Sequence, residues 1–550
     1  MRPIAGTTTP GLRRSSMLAP LLAAALAGAW LLIQLRTPDL AAQAYRVGLF
    51  VRDGFGVWDN NWYAGHHLPG YSLLFPPLAA LLGLRVVGAL GAVASAVLFD
   101  RLARGHFGAR ARWGVLWFAA ATVTDLLIGR LTFGLGVALG LGALLALQRQ
   151  RRWLAVGLAV LCAAASPVAG VFLVLAGAAY ALSTRRWSAG SLVVLPGLAV
   201  VGALAVAFPE GGHQPFSGGA FRAALILPLL AIALVPRRER TLWVGAALYA
   251  LAVIACDAFS TPMGGNVARL GVMFCGPLLL CATARLPAAE LDGPARALVS
   301  RLPGRLAFAP IVAVAAALAV WQWNGPVREV VKGVSDDSVS SSYYRPLIGF
   351  LDRHRDPVAR LEVPFTLTHW DAEVLGPRFA LARGWERQLD TKYDALFYDH
   401  SLSPGSYRAW LLAAGVRYVA LPDVRLDPSS RAEGQLIRAG LPFLRPVWHS
   451  AHWRVYEFVD SRPLATGPGR LTELGAEDFR LSVRHAGWVW VRVHFTPYWR
   501  IAQGAGCVER AGGDWTLVRS DRPGPMRVVA DFSVGRLFDR GPRCTVGAQA

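Results

Sequence analysis

At 550 residues, 54% of them hydrophobic and only 17% charged, with a mean hydropathy of +0.39, the chain is too apolar for an ordinary soluble protein. Its net charge of +21 would suit a nucleic-acid binder, but the Arg residues fall in short clusters between apolar runs, so nucleic acid is not the expected partner. Short Arg-rich loops between hydrophobic helices resist translocation and mark the cytoplasmic side of a membrane.

The first apolar run, Met17 to Leu35, follows Arg2, Arg13 and Arg14, so it is expected to leave the cytoplasm and exit outward. Ala25-Leu26-Ala27 has the small-residue character of a signal-peptide cleavage site, but the run continues through Trp30 to Leu35, as a retained span does. A loop over 36–70 then lies outside. The chain returns through Tyr71–Phe99 to the cluster Arg101, Arg104, Arg110 and Arg112, and Trp113–Leu147 forms a hairpin whose outer turn is at Gly129-Arg130. After Arg149, Arg151 and Arg152, the stretch Trp153–Leu182 is apolar for about thirty residues, where about twenty cross once. Ser166-Pro167 interrupts it, and both ends are basic. That pattern predicts two short helices meeting at Ser166-Pro167, against the alternative of one Pro-kinked span.

Arg185 and Arg186 follow, then spans at Ser188–Phe208, Phe221–Val235, Leu242–Phe259, Leu270–Thr283 and Ala307–Trp323, separated by Arg237, Arg238 and Arg240 and by the basic stretch Arg285 to Arg305. The sum is about eleven crossings, with a cytoplasmic N-terminus and an extracytoplasmic C-terminal domain in the cell membrane. Trp113, Trp153, Trp187 and Trp243 each sit at the end of a basic loop, where an indole lies between acyl chains and headgroups.

The predicted fold class is thus an α-helical polytopic membrane domain over 1–323, followed by an extracytoplasmic domain. Residues 324–460 mix helix-like stretches such as Ser406–Ala414 with short strands at Val416–Leu421 and Trp453–Phe458. Residues 461–550 alternate in period two at Phe479–Val483, Trp488–Val493 and Met526–Phe532, the pattern of a small β-sandwich. Cys507 and Cys544 stand alone in this outer domain, where a disulfide between them is expected; Cys162, Cys256, Cys275 and Cys281 lie in apolar spans as small hydrophobes.

Under this topology Asp39, Asp53, Asp59, His66, His67, Asp125, Arg130, Glu210, His213, Asp257 and Arg269 all fall near the outer face. Charged groups in or beside spans are costly and tend to line cavities or substrate paths. Asp125 and Arg130 also suit a hairpin ion pair, and Asp257 a helix cap. His66 and His67 are adjacent and cannot both face one metal from a regular helix or strand. The densest segment is the first outer loop, Trp58-Asp59-Asn60-Asn61-Trp62-Tyr63-Ala64-Gly65-His66-His67. Aromatic rings beside carboxylates and amides are what sugar recognition needs, since rings stack on pyranose faces and the polar groups bond hydroxyls. An interfacial aromatic belt would look similar, but the Asp, Asn and His between the rings favour a site, so Trp58, Trp62, Tyr63, His66 and His67 are candidate substrate-binding residues.

A carboxylate directly after the first span, the long first outer loop, and a Tyr71-x-x-x-x-Pro76-Pro77 entry to the second span resemble the GT-C superfamily of membrane glycosyltransferases. GT-C loops often carry two neighbouring acids, whereas Asp39 is followed by Leu40. Ala414-Gly415-Val416-Arg417-Tyr418-Val419 and Trp453-Arg454-Val455-Tyr456-Glu457 resemble YfhO-like bacterial membrane proteins. The GT-C resemblance implies inverting transfer of a hexosyl or pentosyl group from a polyprenyl-phosphate-type lipid donor to an envelope glycan, lipid or protein. Asp39 would be the general base, Arg130 and Arg269 the phosphate contacts with Asp125 beside them, and Asp59 a fallback base or metal ligand. No cofactor is specified; a divalent cation is left open. Two other classes remain: a transporter or flippase with Asp125, Arg130 and Ser166-Pro167 along its pathway, and a non-catalytic envelope assembly protein.

Overall fold

The computed structural model describes residues 10–284, 296–297, 309–540 and 544, with side chains from residue 17 onward. Arg2, Ala307 and, apart from Arg296, the basic residues of the stretch Arg285 to Arg305 lie outside the described residues. The chain divides into two compact units. One comprises Met1–Leu40, Tyr71–Ala203 and Gln214–Val331, the other Ala41–Gly70, Leu204–His213 and Lys332–Ala550.

The first unit is built from apolar helices: α1 (Pro10–Ile33), the start of α2 (Pro38–Asp53), α3 (Phe75–Leu82), α4 (Leu84–Phe107), α5 (Arg112–Ile128), α6 (Leu131–Gln148), α7 (Arg152–Ala165), α8 (Pro167–Thr184), α9 (Trp187–Ala207), α10 (Gly218–Leu234), α11 (Arg240–Ala258), α12 (Ala268–Thr283) and α13 (Ala309–Val334). Among the described residues, seven helical stretches are long and apolar enough to cross a bilayer, or eight if Met17–Ile33 and Pro38–Asp53, bent by 77°, are one; α7 and α10 are shorter apolar helices. The longest stretch, Leu84–Ile128, contains both α4 and α5, divided by a 3-10 turn over Gly108–Ala111. Phe99 of α4 stacks on Phe118 of α5 at 4.1 Å. In one straight helix those rings would stand about 28 Å apart, so the chain folds back on itself at the turn.

Leu32, Leu81, Trp153, Leu251, Phe259 and Val320 are large apolar side chains exposed on the helices. Such a surface is unfavourable in water and suits acyl chains. The chain is a multi-pass membrane protein. Trp113, Trp153, Trp187 and Trp243 are likewise exposed, as side chains of an interfacial aromatic belt are.

The segment 153–182 is two helices. Ser166 caps α8, its side chain accepting from the Ala169 N–H, and Pro167 takes the first helical position, where its missing N–H costs nothing. A Cβ on Gly170 would lie 2.8 Å from the Cβ of Ala163. Residues seven apart in a continuous helix are about 10 Å apart along its axis, so α8 doubles back beside α7.

In the second unit, strands β1 (Trp58–Asp59) and β2 (His66–His67) form a small antiparallel pair. β3 (Arg360–Glu362), β4 (Val416–Pro422), β5 (Leu444–His449) and β6 (Trp453–Phe458) make a four-stranded sheet of order β3-β4-β6-β5, parallel only between β3 and β4. Beyond it lie β7 (Ala465–Thr466), β8 (Gly469–Leu474), β9 (Asp478–Val483), β10 (Gly487–His494), β11 (Trp499–Gln503), β12 (Gly506–Arg510), β13 (Trp515–Ser520) and β14 (Gly524–Ala530). They form two antiparallel sheets, β12-β13-β10-β7 and β11-β14-β9-β8. Phe479, Leu481, Val489, Val491, Val518 and Val528 fill one shared core, because alternate residues of each strand point to the same face. Cys507 on β12 is disulfide-bonded to Cys544, with Cα atoms 5.2 Å apart.

The structure differs from the sequence reading at three boundaries. The span read at Tyr71–Phe99 is broken at Gly83 into α3 and α4, and α4 runs to Phe107, taking Arg101 and Arg104 into the helix. The first outer loop holds a helix, α2, of 16 residues, too rich in Arg and Asp to register as a span but with Tyr45 and Leu49 on a buried face. The last apolar helix, α13, continues past Trp323 and through Pro326 to Val334, about three turns beyond its apolar run.

Candidate functional site in the helical unit

Asp39 lies in the first turn of α2. The Thr37 hydroxyl, two residues earlier, donates to the Ile128 carbonyl at the end of α5 (3.1 Å), which anchors the start of α2 on the α5–α6 turn. That turn passes through Gly129, whose φ of +94° only glycine adopts readily. A Cβ there would lie 2.5 Å from the Leu40 nitrogen, so the close approach also requires a missing side chain. The N–H groups of Gly129 and Arg130 both donate to the Asp125 carbonyl, at 2.9 and 2.8 Å, closing α5. Arg130 then takes the N-cap position of α6.

This backbone places Arg130 Nε 3.1 Å from Asp39 Oδ2, with the side chains 31% and 34% exposed. The pair is accessible enough to meet a ligand. Asp125, one turn before Arg130, is buried and interacts electrostatically with Arg130, Arg269 and Asp39. Arg269 is in the first turn of α12, its Nη2 donating to Asn266 Oδ1 at 2.6 Å and its guanidinium 5.5 Å from the Phe133 ring centre. Its Nε is buried and makes no hydrogen bond among the described residues. Tyr71 adds its field at Arg269, and Glu329 of α13 at Arg130. Burial opposes the Arg130 charge, but Asp39 and Asp125 more than offset it and hold its pKa above the ordinary value.

Asp39, Asp125, Arg130 and Arg269, scattered over 231 positions of sequence, therefore form one electrostatic cluster. Three of them stand in or beside the first turns of α2, α6 and α12, where the helix dipole favours an anion. Asn266 and Glu329 escaped the sequence reading. Asn266 sits in a Gly264-Gly265-Asn266 helix start that could have been recognised, whereas Glu329 lies in the part of α13 that reads as polar.

Residues 41–70 lie in the other unit, with Trp58, Asp59, Trp62, Tyr63 and His66 inside its core. Trp62 is fully buried, Trp58 and Tyr63 nearly so, and Trp62 stacks on Tyr45 at 3.9 Å. Asp59 is 0% exposed; its carboxylate accepts from the Tyr45 hydroxyl at 2.8 Å and the Asn61 N–H at 3.0 Å. Burial pushes its pKa up to about 6, against those hydrogen bonds and the charge of Arg46. His66 is fully buried as well, and burial brings its pKa down to about 3. His67 bonds Glu210 through Nδ1 at 2.5 Å and Thr496 through Nε2 at 3.0 Å. Among the described residues, no group of three or more His, Cys, Asp or Glu is arranged to hold a metal ion.

No protein-family model matches the chain, and no curated protein matches it. Among solved structures it is similar to the arabinofuranosyltransferase AftD from mycobacteria. Two classes of an AftD point mutant superpose with TM-scores of 0.46 and 0.47, and a further AftD structure with 0.43, each at 16% identity over 95% of this chain. The chain spans 42%, 60% and 57% of those proteins respectively. Likeness at this level assigns no reaction to the chain.

Proposed function

We propose that the chain is a GT-C-type membrane glycosyltransferase, moving a sugar from a polyprenyl-phosphate-type lipid donor to a cell-envelope acceptor at the outer face of the membrane. The observation that carries this reading is the half-open Asp39–Arg130 pair, coupled to Arg269 at the starts of three helices. Two guanidiniums and helix N-termini suit a phosphate. A carboxylate beside them suits a proton acceptor.

In the resting protein Asp39 and Arg130 neutralise each other. A donor phosphate competes for Arg130 and engages Arg269, whose planar forks match phosphate oxygens, and this releases Asp39 toward the acceptor. The acceptor hydroxyl oxygen then bonds to the anomeric carbon as its proton passes to the Asp39 carboxylate. The bond from that carbon to the phosphate oxygen breaks, its electron pair leaving with the lipid phosphate, which Arg130 and Arg269 stabilise. Attack opposite the leaving group inverts the anomeric centre. Asp125 is a positioning residue that holds both arginines by charge.

Purified protein supplied with polyprenyl-linked sugars and envelope acceptors tests the reading. Wild-type protein should transfer sugar, and Asp39→Asn, which keeps shape but removes the proton acceptor, should be slower by roughly two to four decades. Full transfer by Asp39→Asn would overturn it.

A further inference from the structure

The helical unit encloses a cavity of about 730 Å³ that the proposed reaction does not use. It extends along the later two-thirds of α6, from Gly136 to Gln148. Its walls are apolar through most of that length, with Phe99, Leu141, Phe172, Leu227 and Phe274 among them. Polar and charged groups collect at one end: Gln148, Ser183, Arg186, Arg238, Glu239 and Arg240, where α6, α8 and α10 end and α11 begins. Glu239 there bonds His106, Nε2 to Oε2 2.8 Å, and interacts electrostatically with Arg238; one carboxylate against three arginines leaves this end net positive. All three are exposed.

Away from that end the lining includes Tyr249, Leu270 and Gly271. The Tyr249 hydroxyl donates to the Val267 carbonyl (3.0 Å) and accepts from the Gly271 N–H (3.2 Å), tying α11 to the start of α12. Arg130 begins α6 and Gln148 ends it, so the arginine-rich mouth is about 27 Å along the helix from the Asp39–Arg130 pair.

A long apolar chamber with solvent-exposed arginines at one end and none along its walls matches an amphiphile with one anionic head. We infer that the cavity binds an anionic phospholipid from the leaflet on the side of the Arg-rich loops, its acyl chains inside and its phosphate at Arg186, Arg238 and Arg240. This site is separate from the donor site: the head enters at the other end of α6. The occupant is a resident lipid of the bilayer rather than a reactant, and its recognition is charge at the mouth plus apolar volume within.

The test uses the full chain in detergent, stripped of lipid and then exposed to phosphatidylglycerol, phosphatidylcholine of the same acyl chains, or a polyprenyl phosphate, with retained lipid read by native mass spectrometry. Wild-type protein should retain phosphatidylglycerol roughly tenfold better than phosphatidylcholine. The combined change Arg186→Ala, Arg238→Ala and Arg240→Ala should abolish that preference. Gly245→Leu should reduce retention of both phospholipids, because it directs a side chain into the chamber. It is expected to fold, since a Cβ there meets only Ala179 at 3.6 Å and leucine favours helix over glycine; an unchanged melting temperature of the stripped protein confirms this. Equal retention of the two phospholipids by wild type, retention untouched by Gly245→Leu, or loading by the polyprenyl phosphate alone would each overturn the inference. None of these readouts depends on sugar transfer.

Discussion

Asp39 and Asp59 both lie in the segment that follows α1, and the structure gives them opposite surroundings. Asp39 is one-third exposed and ion-paired; Asp59 is sealed and held by a tyrosine hydroxyl and a backbone N–H. The aromatic residues follow Asp59: Trp58, Trp62 and Tyr63 pack inward, with ring N–H and hydroxyl groups bonded within the unit in the cases of Trp58 (to Asn60 Oδ1, 2.8 Å) and Tyr63 (to the Gly384 carbonyl, 2.5 Å). Indoles interleaved with carboxylates and amides are equally the composition of a sugar platform and of a hydrogen-bonded aromatic core. Accessibility separates the two, and accessibility is a property of the fold.

The sharpest way to break this contrast is to compare the two aspartates directly. Asp39→Asn should cost transfer roughly two to four decades with an unchanged melting temperature, while Asp59→Asn leaves transfer per folded molecule intact. The reverse outcome would move the base to Asp59. Trp62→Ala should cost about 3–5 kcal/mol of stability, read as a lower melting temperature of the full chain, because the ring packs between Tyr45 and the α carbons of Gly376 and Gly384. A stable Trp62→Ala protein with weakened acceptor binding would restore the platform reading. Arg269→Ala should raise the KM for the lipid donor by about tenfold or more, through loss of a charge-assisted contact of about 1.5–3 kcal/mol. A KM that does not move would remove Arg269 from the site.

The smallest effect is a pH slope. Asp59 has its pKa raised to about 6, so the folded chain keeps a proton that the unfolded chain sheds near its ordinary value; that contribution is complete at low pH and lost as pH rises through 6. His66, lowered to about 3, runs the other way: stability is lost as pH falls from the ordinary histidine range toward 3. Between pH 4 and 6 the two slopes oppose each other. Removing one should expose the other: Asp59→Asn should lose stability on acidification relative to wild type, by up to about 1 kcal/mol per pH unit. Melting curves of wild type and Asp59→Asn that stay parallel from pH 4 to 6 would count against both assignments.

Much of the scaffold was legible in the chain because the membrane imposes simple rules. Apolar runs between Arg clusters mark the helices, Ser166-Pro167 marks the α7–α8 break, and period-two alternation marks β9, β10 and β14. The grouping of Asp39, Asp125, Arg130 and Arg269 was approachable for the same reason, since ionisable residues at span ends are few. Two features were hidden. α2 carries Arg46, Arg52 and Asp53, so it resembles a loop by hydropathy, and it is helical because one face packs. Glu329 stands beyond Pro326, where polarity and proline both signal the end of a helix that in fact continues.

The α7–α8 fold-back bears on the lipid around the protein as well as on the chain. α7 has 14 residues and is about 21 Å long, well short of a hydrocarbon core of about 30 Å. A bilayer meets so short a helix by thinning beside it. Its closed end is capped by the Tyr71-Ser72-Leu73 segment, with Ser72 Oγ donating to the Ala165 carbonyl at 2.7 Å and Leu73 N to Ala164 at 2.9 Å, and Tyr71 is the residue whose field reaches Arg269. Under the proposed reaction, a bilayer thinned at that flank would bring lipid headgroups nearer to the guanidiniums of Arg130 and Arg269.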